Sequence, residues 1–249
     1  MRELELRFQF SVSSFWYGTR NDRPETGCGK QVTHMEAEVI PAILAKTREE
    51  LLHRIGLVRG LVKEIQLDIM DGVFVPNKTV GIEDLIDLPK ARYEFHWMVK
   101  DPERWIEKIV GPHIHLIHVE TITDFSKIEA TVKNAGGTLG LAINPETPLE
   151  KLLPYADKAK RILVMTVRPG FSGQRYIYEM EHKVRKLREL YPKLDIEVDG
   201  GINNETGPHA FSSGANILAA ASAIFSSTDI KSAIAELKKR AHAGCSHKH

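Results

Sequence analysis

The sequence contains few cysteines and no long hydrophobic run. Its 249 residues include two cysteines, Cys28 and Cys245, near opposite ends of the chain, so the sequence does not indicate a disulfide framework. No apolar run approaches the length of a membrane span, and the first residues lack the pattern of a signal peptide. We therefore expect a soluble cytoplasmic protein with no membrane partner.

An excess of charge of one sign and an internal linker are also missing. The 34 basic and 33 acidic residues leave a formal net charge of +1, which gives no electrostatic argument for nucleic acid or an anionic membrane as a partner. No stretch rich in proline, glycine and serine divides the chain. This favours one domain with a substantial core over two small domains.

The two ends of the chain are patterned differently from the rest. Aromatic and polar residues alternate loosely in the first part, and the regular pattern begins at Met35. We expect residues 1–34 to be an extension that is poorly ordered or not part of the native protein. Residues 35–240 are predicted to form the single domain, and residues 241–249 a frayed polar tail.

Short apolar runs alternate with amphipathic segments from Val39 onward, and Thr47 is placed to cap the first helix. Eight strand–helix units in about 205 residues predict an α/β fold of the (β/α)₈ TIM-barrel type. A doubly wound sheet would carry a glycine fingerprint after its first strand, which the residues 41–44 lack. The predicted strands are 39–43, 64–69, 93–99, 115–119, 138–143, 161–166, 195–198 and 216–220. The predicted helices are 47–58, 82–88, 102–109, 126–134, 148–153, 178–191, 205–213 and 230–240.

Carboxylates stand at the ends of two distant predicted strands. Asp199 ends the seventh strand and is followed by Gly200 and Gly201, and Asp68 lies near the end of the second. The carboxyl ends of barrel strands open onto the active site. An aspartate there can transfer a proton, and paired glycines let backbone N–H groups approach a phosphate. The pattern predicts paired acid/base carboxylates acting on a phosphorylated substrate.

Other polar side chains share the inward face of these strands. Gln66 and Asp68 lie on one face because side chains alternate along a strand, and His96 and Met98 share a face in the same way. Gln66, Asp68, His96 and Asp199 are therefore predicted to converge at the barrel mouth. One inward histidine is commonly a core residue, but several unpaired polar groups at one end would cost stability. This favours a functional site.

Three glycine-containing or serine-containing segments are candidates for binding an anion. The loop 167–174 follows the sixth strand, and barrels commonly bind phosphate near strands 7 and 8. An ordinary glycine-rich turn is the alternative for this loop. The predicted phosphate-binding residues are Gly170, Phe171, Ser172, Gly173, Gly200, Gly201, Ala221 and Ser222.

Seven short stretches, in register along the whole barrel, resemble the ribulose-phosphate 3-epimerase family over residues 38–240. The resemblance implies a ribulose-phosphate-binding barrel and the interconversion of D-ribulose 5-phosphate and D-xylulose 5-phosphate in the pentose phosphate pathway. It also implies a homo-oligomer, since members are commonly dimers or larger. The matching stretches are 41–44, 67–72, 74–77, 96–99, 144–148, 169–174 and 197–201.

The same resemblance implies roles for individual residues. Asp68 and Asp199 would be the two catalytic groups, one removing the C3 proton and the other returning a proton to the opposite face through an enediolate. A divalent metal (zinc, iron, manganese or magnesium) would bind Asp68, His96 and Asp199, with Gln66 at the fourth position. The substrate pocket would be formed by Ala42, Met70, Met98 and Met165.

The chain departs from the family pattern at Gln66, Ala42 and Ala221. The family has a metal-binding histidine at the position of Gln66, and an amide oxygen is a weak, hard donor for zinc or iron. We expect a weakened metal site with uncertain metal occupancy, and activity that this change impairs. Two alternatives remain: a phosphosugar enzyme whose substrate is altered by Ala42 and Trp97, and a catalytically impaired barrel that binds a sugar phosphate.

Overall fold

A computed structural model describes residues 35–243. The predicted extension 1–34, both cysteines and the last six residues of the predicted tail lie outside the described residues. Within residues 35–243, no helix is long and apolar enough to cross a membrane.

Eight parallel strands form a closed barrel in chain order, and β8 pairs with β1. The predicted barrel is confirmed. Each predicted strand boundary lies within one residue of the observed one. The strands are β1 Glu38–Ile43, β2 Ile65–Met70, β3 Tyr93–Met98, β4 Ile114–His118, β5 Thr138–Ile143, β6 Arg161–Met165, β7 Asp195–Asp199 and β8 Ile217–Ala220.

Seven α-helices lie between the strands or follow them in the described part of the chain. Local capping defines where several begin: Thr47 Oγ1 accepts a hydrogen bond from Glu50 N at the start of α1, as predicted, and Asp124 caps α3. The last helix continues three residues into the predicted tail. The helices are α1 Arg48–Val58, α2 Glu103–Ile106, α3 Phe125–Asn134, α4 Glu181–Leu190, α5 Thr206–Ser212, α6 Ser222–Phe225 and α7 Ile230–Ala243.

Several predicted helices are shorter than expected. The segment predicted as a helix at 82–88 is one 3₁₀ turn, Ile82–Leu85. The helix predicted at 148–153 is replaced by two 3₁₀ segments, Leu149–Lys151 and Leu153–Lys158. Pro154 lies in the first turn of the second segment, and it prevents one continuous helix from running through both segments because it lacks an amide hydrogen.

The core has two layers because strand side chains alternate between the helices and the barrel interior. Outward apolar side chains pack against the helices in one continuous cluster. The interior holds a smaller apolar cluster, and polar side chains lie above and below it. The interior cluster is Ile114, Leu116, Ala142, Leu163, Met165 and Val167.

A buried charged cluster fills the amino end of the barrel. Arg161 donates to Glu64 Oε2 at 2.9 Å, contacts Glu197 Oε2 at 3.5 Å and donates to Glu94. Burial raises the pKa of Glu94 and of Glu197. One guanidinium therefore contacts three glutamates, Glu94 on β3, Glu197 on β7 and Glu64 just before β2, far from the carboxyl ends of the strands.

Candidate active site

Two aspartates from non-neighbouring strands meet at the carboxyl end of the barrel. Asp68 lies near the end of β2 and Asp199 ends β7, with β1 and β8 between these strands. The Gln66 amide joins the aspartates, because its Nε2 donates to Asp68 Oδ1 and to Asp199 Oδ2, each at 2.8 Å. The two carboxylates therefore share one hydrogen-bond donor.

His96 completes this group. It is the register partner of Asp68 on the neighbouring strand β3, and its Nδ1 lies 3.0 Å from Asp68 Oδ1 and 3.6 Å from Asp199 Oδ2. The structure thus brings together the four polar side chains that the sequence places at the barrel mouth. Their catalytic and metal-binding roles remain predictions.

The pKa values of this group are strongly shifted by burial and by mutual contact. Burial raises the pKa of Asp68, and the nearby charge of Asp199 raises it further. Burial alone would lower the pKa of His96, but its hydrogen bonds to Asp199 and Asp68 outweigh this and raise it to about 9. The His96 imidazole is therefore positively charged at neutral pH when no other cation is present.

Two residues that the sequence analysis missed extend the group at the carboxyl end of β4 and in the turn that follows it. His118 Nε2 lies 2.9 Å from His96 Nε2, and His118 Nδ1 lies 3.3 Å from Glu120 Oε2. Glu120 Oε1 accepts a hydrogen bond from Asn144 N at 2.9 Å. Burial opposes ionisation of Glu120, but its hydrogen bond and charge contact with His118, together with hydrogen bonds from Thr147 and Asn144, outweigh burial and lower its pKa to about 2. The alternation of Leu116, His118 and Glu120 is the sequence signal that could have identified them.

A cleft lies directly above the aspartates. It contains about 520 Å³ of empty space including its open mouth, which is within the range of small-ligand sites. Asp68, Asp199 and the three predicted pocket methionines line it. All eight predicted phosphate-binding residues also line this cleft: Gly170, Phe171, Ser172, Gly173, Gly200, Gly201, Ala221 and Ser222.

The Gly200-Gly201 turn after β7 requires glycine at both positions. Their φ angles are 116° and 67°, a left-handed conformation that other residues rarely adopt. A Cβ at Gly201 would lie 2.7 Å from Tyr176 N. Thr166 Oγ1 donates to the carbonyl oxygens of Asp199 and Gly200 at 2.9 and 2.7 Å. These contacts hold the turn, and therefore the Asp199 carboxylate, in one orientation.

The glycine-rich loop after β6 is fixed by side-chain amides. Gln174 Nε2 donates to the carbonyl oxygens of Arg168 and Phe171 at 2.6 and 2.9 Å. Asn77 Nδ2 donates to Gly170 O at 2.7 Å, so the loop is also tied to the segment that follows β2. These hydrogen bonds hold the loop along one side of the cleft.

Comparisons with known proteins agree with this geometry. A sequence model described as "Ribulose-phosphate 3 epimerase family" matches residues 38–225. The chain belongs to the ribulose-phosphate 3-epimerase family. It is thereby an enzyme of the class of epimerases that act on carbohydrates.

Curated relatives in the family cover most of the chain. The Ribulose-phosphate 3-epimerase of Eremothecium gossypii is 37% identical over 222 residues, which are 80% of this chain and 91% of that protein. The cytoplasmic isoform from Oryza sativa subsp. japonica is 37% identical over 82% of this chain and 93% of its own length. The Methanocaldococcus jannaschii protein is 38% identical over 82% of this chain and 89% of its own.

Solved structures support the barrel fold alone. KGPDC from Streptococcus mutans has a TM-score of 0.63 at 13% identity and covers 84% of this chain and 98% of its own. Orotidine 5'-monophosphate decarboxylase from Sulfolobus solfataricus has a TM-score of 0.58 at 12% identity, over 84% and 99% of the two chains.

Two residues that the sequence analysis linked to the pocket of this epimerase-family chain lie outside the lining of the cleft. Ala42 is buried and is the register partner of Gln66, whereas Leu44, two residues nearer the carboxyl end, lines the cleft wall after β1, so a pocket role for Ala42 remains a prediction. Trp97 is buried on the outer face of β3 and stacks on Phe95 and His115. It alternates with the inward His96, so it does not reshape the substrate pocket.

The residues of this family member fit a divalent cation. Asp68, His96 and Asp199 each offer a ligand atom, and these atoms lie within 4.8 Å of one another. Gln66 Oε1 is buried and has no hydrogen-bond partner within residues 35–243. Turning this amide would add a third oxygen to one imidazole nitrogen and two carboxylate oxygens. Such an oxygen-rich set suits manganese or magnesium better than zinc.

Proposed function

We propose that the chain interconverts D-ribulose 5-phosphate and D-xylulose 5-phosphate by moving a proton at C3 of the sugar. The observation that carries this proposal is the meeting of Asp68 and Asp199 at the Gln66 amide, directly below a cleft bordered by glycine-rich loops. Membership of the epimerase family supports the reaction class. The small phosphorylated sugar as substrate is part of the proposal.

Inversion at a carbon requires proton transfer on both faces of the sugar. A carboxylate takes the C3 proton, the electron pair moves into the adjacent C2 carbonyl to give an enediolate, and an acid returns a proton to the opposite face. Asp68 and Asp199 reach the cleft from strands that do not pair with each other, which supports this division of work. The raised pKa of Asp68 suits the acid in one direction, and the roles reverse in the other.

The developing negative charge of the enediolate needs a partner. The His96 imidazolium is the positive group that this chain itself offers beside the aspartates, whose oxygens already accept both N–H groups of Gln66. A divalent cation held by Asp68, His96 and Asp199, with Gln66, would supply positive charge for an enediolate oxygen. Positive groups that are already oriented stabilise such charge without reorganisation.

The glycine-containing loops supply the proposed phosphate site. Gly170, Gly173 and Gly201 expose backbone without side chains, and the hydroxyls of Ser172 and Ser222 line the same cleft. Backbone N–H groups in such loops bind anions. Met70, Met98 and Met165 provide an apolar wall over the sugar. Binding the phosphate here would orient C3 toward the aspartates.

The test is the formation of D-xylulose 5-phosphate from D-ribulose 5-phosphate by the full chain and by two variants. We expect Asp68→Asn and Asp199→Asn each to lower kcat by about 10²–10⁴-fold, because each removes one proton-transfer group. Glu83→Gln, at a surface carboxylate, is the control for charge loss. Full activity in either aspartate variant would contradict the proposed pair.

A catalytically impaired sugar-phosphate-binding barrel is the second candidate. The observation in its favour is Gln66, which replaces the family's metal-binding histidine while the phosphate loops are retained. Calorimetric binding of D-ribulose 5-phosphate with no product formed, with or without added Mn²⁺, would select this candidate. A cytoplasmic location, supported by the name of the rice relative, and a homo-oligomer remain further proposals.

A further inference from the structure

The Gln66 amide stands where it can respond to a cation. Its two N–H groups are both used, one for each aspartate, at 2.8 Å. The bridge connects two carboxylates that would otherwise repel each other in a buried site. This inference rests on the proposed function in one respect only, namely that Asp68 and Asp199 must be held close together.

The other atom of the same amide is unsatisfied. Gln66 is fully buried, and its Oε1 has no hydrogen-bond partner in the described part of the chain. Rotating the Gln66 amide by a half-turn would break no hydrogen bond at Oε1, because Oε1 accepts none among the described residues. It would, however, direct Oε1 at both carboxylates, which is unfavourable unless a cation lies between the three oxygens.

The distances around the amide match a set of metal ligands. Gln66 Nε2 lies 2.8 Å from each aspartate oxygen and 3.4 Å from His96 Nδ1. His96 Nδ1 lies 3.0 and 3.6 Å from the same two oxygens. Ligand atoms around a four-coordinate cation with bonds of about 2.1 Å are about 3.4 Å apart. The terminal atom of the amide therefore occupies the place of a ligand.

We propose that the Gln66 amide is a two-orientation ligand. Without a cation, its NH₂ faces the aspartates and holds them together. With a cation, Oε1 faces inward and becomes a ligand, and the oxygen-rich set selects Mn²⁺ or Mg²⁺ over Zn²⁺. The family has a metal-binding histidine at this position. Glutamine instead provides a side chain that holds the two aspartates together without a cation and that binds the cation when one is present.

The first measurement follows the amide itself. The chain contains four glutamines, Gln9, Gln31, Gln66 and Gln174, so ¹⁵N labelling of the glutamine side chains alone gives few NH₂ signals, and Gln66→Leu identifies the relevant pair. We expect the Gln66 pair to shift when the chelator-treated full chain is saturated with diamagnetic Mg²⁺. The Gln174 pair, which donates to backbone oxygens, should not shift. A Gln66 signal that Mg²⁺ leaves unchanged would overturn the proposal.

The second measurement is cation affinity, by electron paramagnetic resonance for Mn²⁺ and by competition for Zn²⁺. We expect Gln66→Leu to weaken Mn²⁺ binding at least tenfold, Gln66→Glu to retain it, and Gln66→His to raise the preference for Zn²⁺ at least tenfold. Leu116→Met controls for repacking of the barrel interior, and Gln66→His keeps the test available if Gln66→Leu does not fold. Three outcomes would overturn the proposal. They are an unchanged Mn²⁺ affinity in Gln66→Leu, an unchanged preference between Mn²⁺ and Zn²⁺ in Gln66→His, and no Mn²⁺ binding by the native chain. No substrate is used, so failure of the epimerase proposal would be seen separately.

Discussion

At the scale of single residues, the site depends on how two buried carboxylates are kept together. Asp68 and Asp199 come from strands that do not pair, and only the Gln66 amide and the His96 imidazole contact both of them among the described residues. Like charges in one site raise each other's pKa unless a positive or donating group intervenes. Gln66 and His96 therefore act on the geometry of the pair as well as on its charge.

The position of His96 is predicted to depend on His118. In His118→Phe, His96 Nε2 loses its buried partner at 2.9 Å, whereas the amide of His118→Gln can replace it. We expect the phenylalanine variant to lower kcat by about 10–100-fold, the size of effect seen when a supporting hydrogen bond to a ligand is lost. The glutamine variant should recover most of the activity with KM unchanged. Equal kcat values in both variants, at matched thermal stability, would contradict this role.

A second histidine is predicted to make the fold sensitive to acid. His115 accepts a hydrogen bond from Trp97 Nε1 at 3.1 Å, and its ring lies beside the rings of Phe95 and Trp97. Burial, with a contribution from His113, lowers its pKa to about 3. Below about pH 6.5 the unfolded chain therefore binds a proton that the folded chain does not, and the free energy of unfolding falls by up to about 1.4 kcal/mol per pH unit.

The check is urea unfolding between pH 6.5 and 4.5. His115→Phe keeps an aromatic ring. Its free energy of unfolding should fall less steeply as the pH is lowered than that of the native chain, and the difference in slope should correspond to about one bound proton. His53→Gln, at an exposed position on α1, controls for the loss of an imidazole. The same pH slope in His115→Phe and in the native chain would exclude His115 as the cause.

At the scale of elements, sequence patterns predicted the strands better than the helices. Strands of a parallel barrel are short apolar runs with polar residues at their ends, and this signal placed both ends of all eight strands within one residue. The helices after β2 and β5 were overestimated because apolar spacing alone does not distinguish a 3₁₀ turn from a helix. Pro154 was the available signal in one of these cases.

The direction in which a side chain faces was the other source of error. The alternation rule correctly placed Gln66, Asp68 and His96 inward, but the same rule should have placed Trp97 outward, away from the pocket. His118 and Glu120 were missed although the predicted strand 115–119 already placed His118 next to its carboxyl end, and the alternation of side chains was the signal that indicated them. The amide bridge at Gln66 could not be predicted, since it depends on contacts between strands far apart in sequence.

The amino end of the barrel carries its own prediction. Arg161 is the shared partner of Glu64, Glu94 and Glu197, all buried. Arg161→Met should lower the free energy of unfolding by about 3–5 kcal/mol, because it leaves buried carboxyl groups without their cation. Arg161→Lys should lose less. Arg104→Met, at an exposed position, should change stability by less than about 0.5 kcal/mol. Guanidinium denaturation measures all three, and a loss below about 1 kcal/mol in Arg161→Met would contradict the assignment.

At the scale of the whole molecule, the amino end of the barrel carries groups that stabilise the fold, and the carboxyl end carries the candidate active site. The charged cluster around Arg161 closes the amino end, and the apolar cluster around Leu116 fills the middle. The carboxyl end carries the aspartates and the cleft. This arrangement is typical of barrel enzymes, in which loops at the carboxyl end can change without loss of the fold. A replaced metal-ligand position such as Gln66 is therefore compatible with an intact barrel.

The central claim is that Asp68 and Asp199 exchange the C3 proton of a pentulose phosphate. The most direct measurement is NMR of D-ribulose 5-phosphate after incubation in deuterated water with the full chain. One incubation uses the chelator-treated chain and a second uses the same chain with added Mn²⁺. The Mn²⁺ is removed from the second sample before the spectrum is recorded. We predict D-xylulose 5-phosphate that carries deuterium at C3, with a slower rate in Asp68→Asn and in Asp199→Asn. No deuterium at C3 with any added divalent cation would contradict the account.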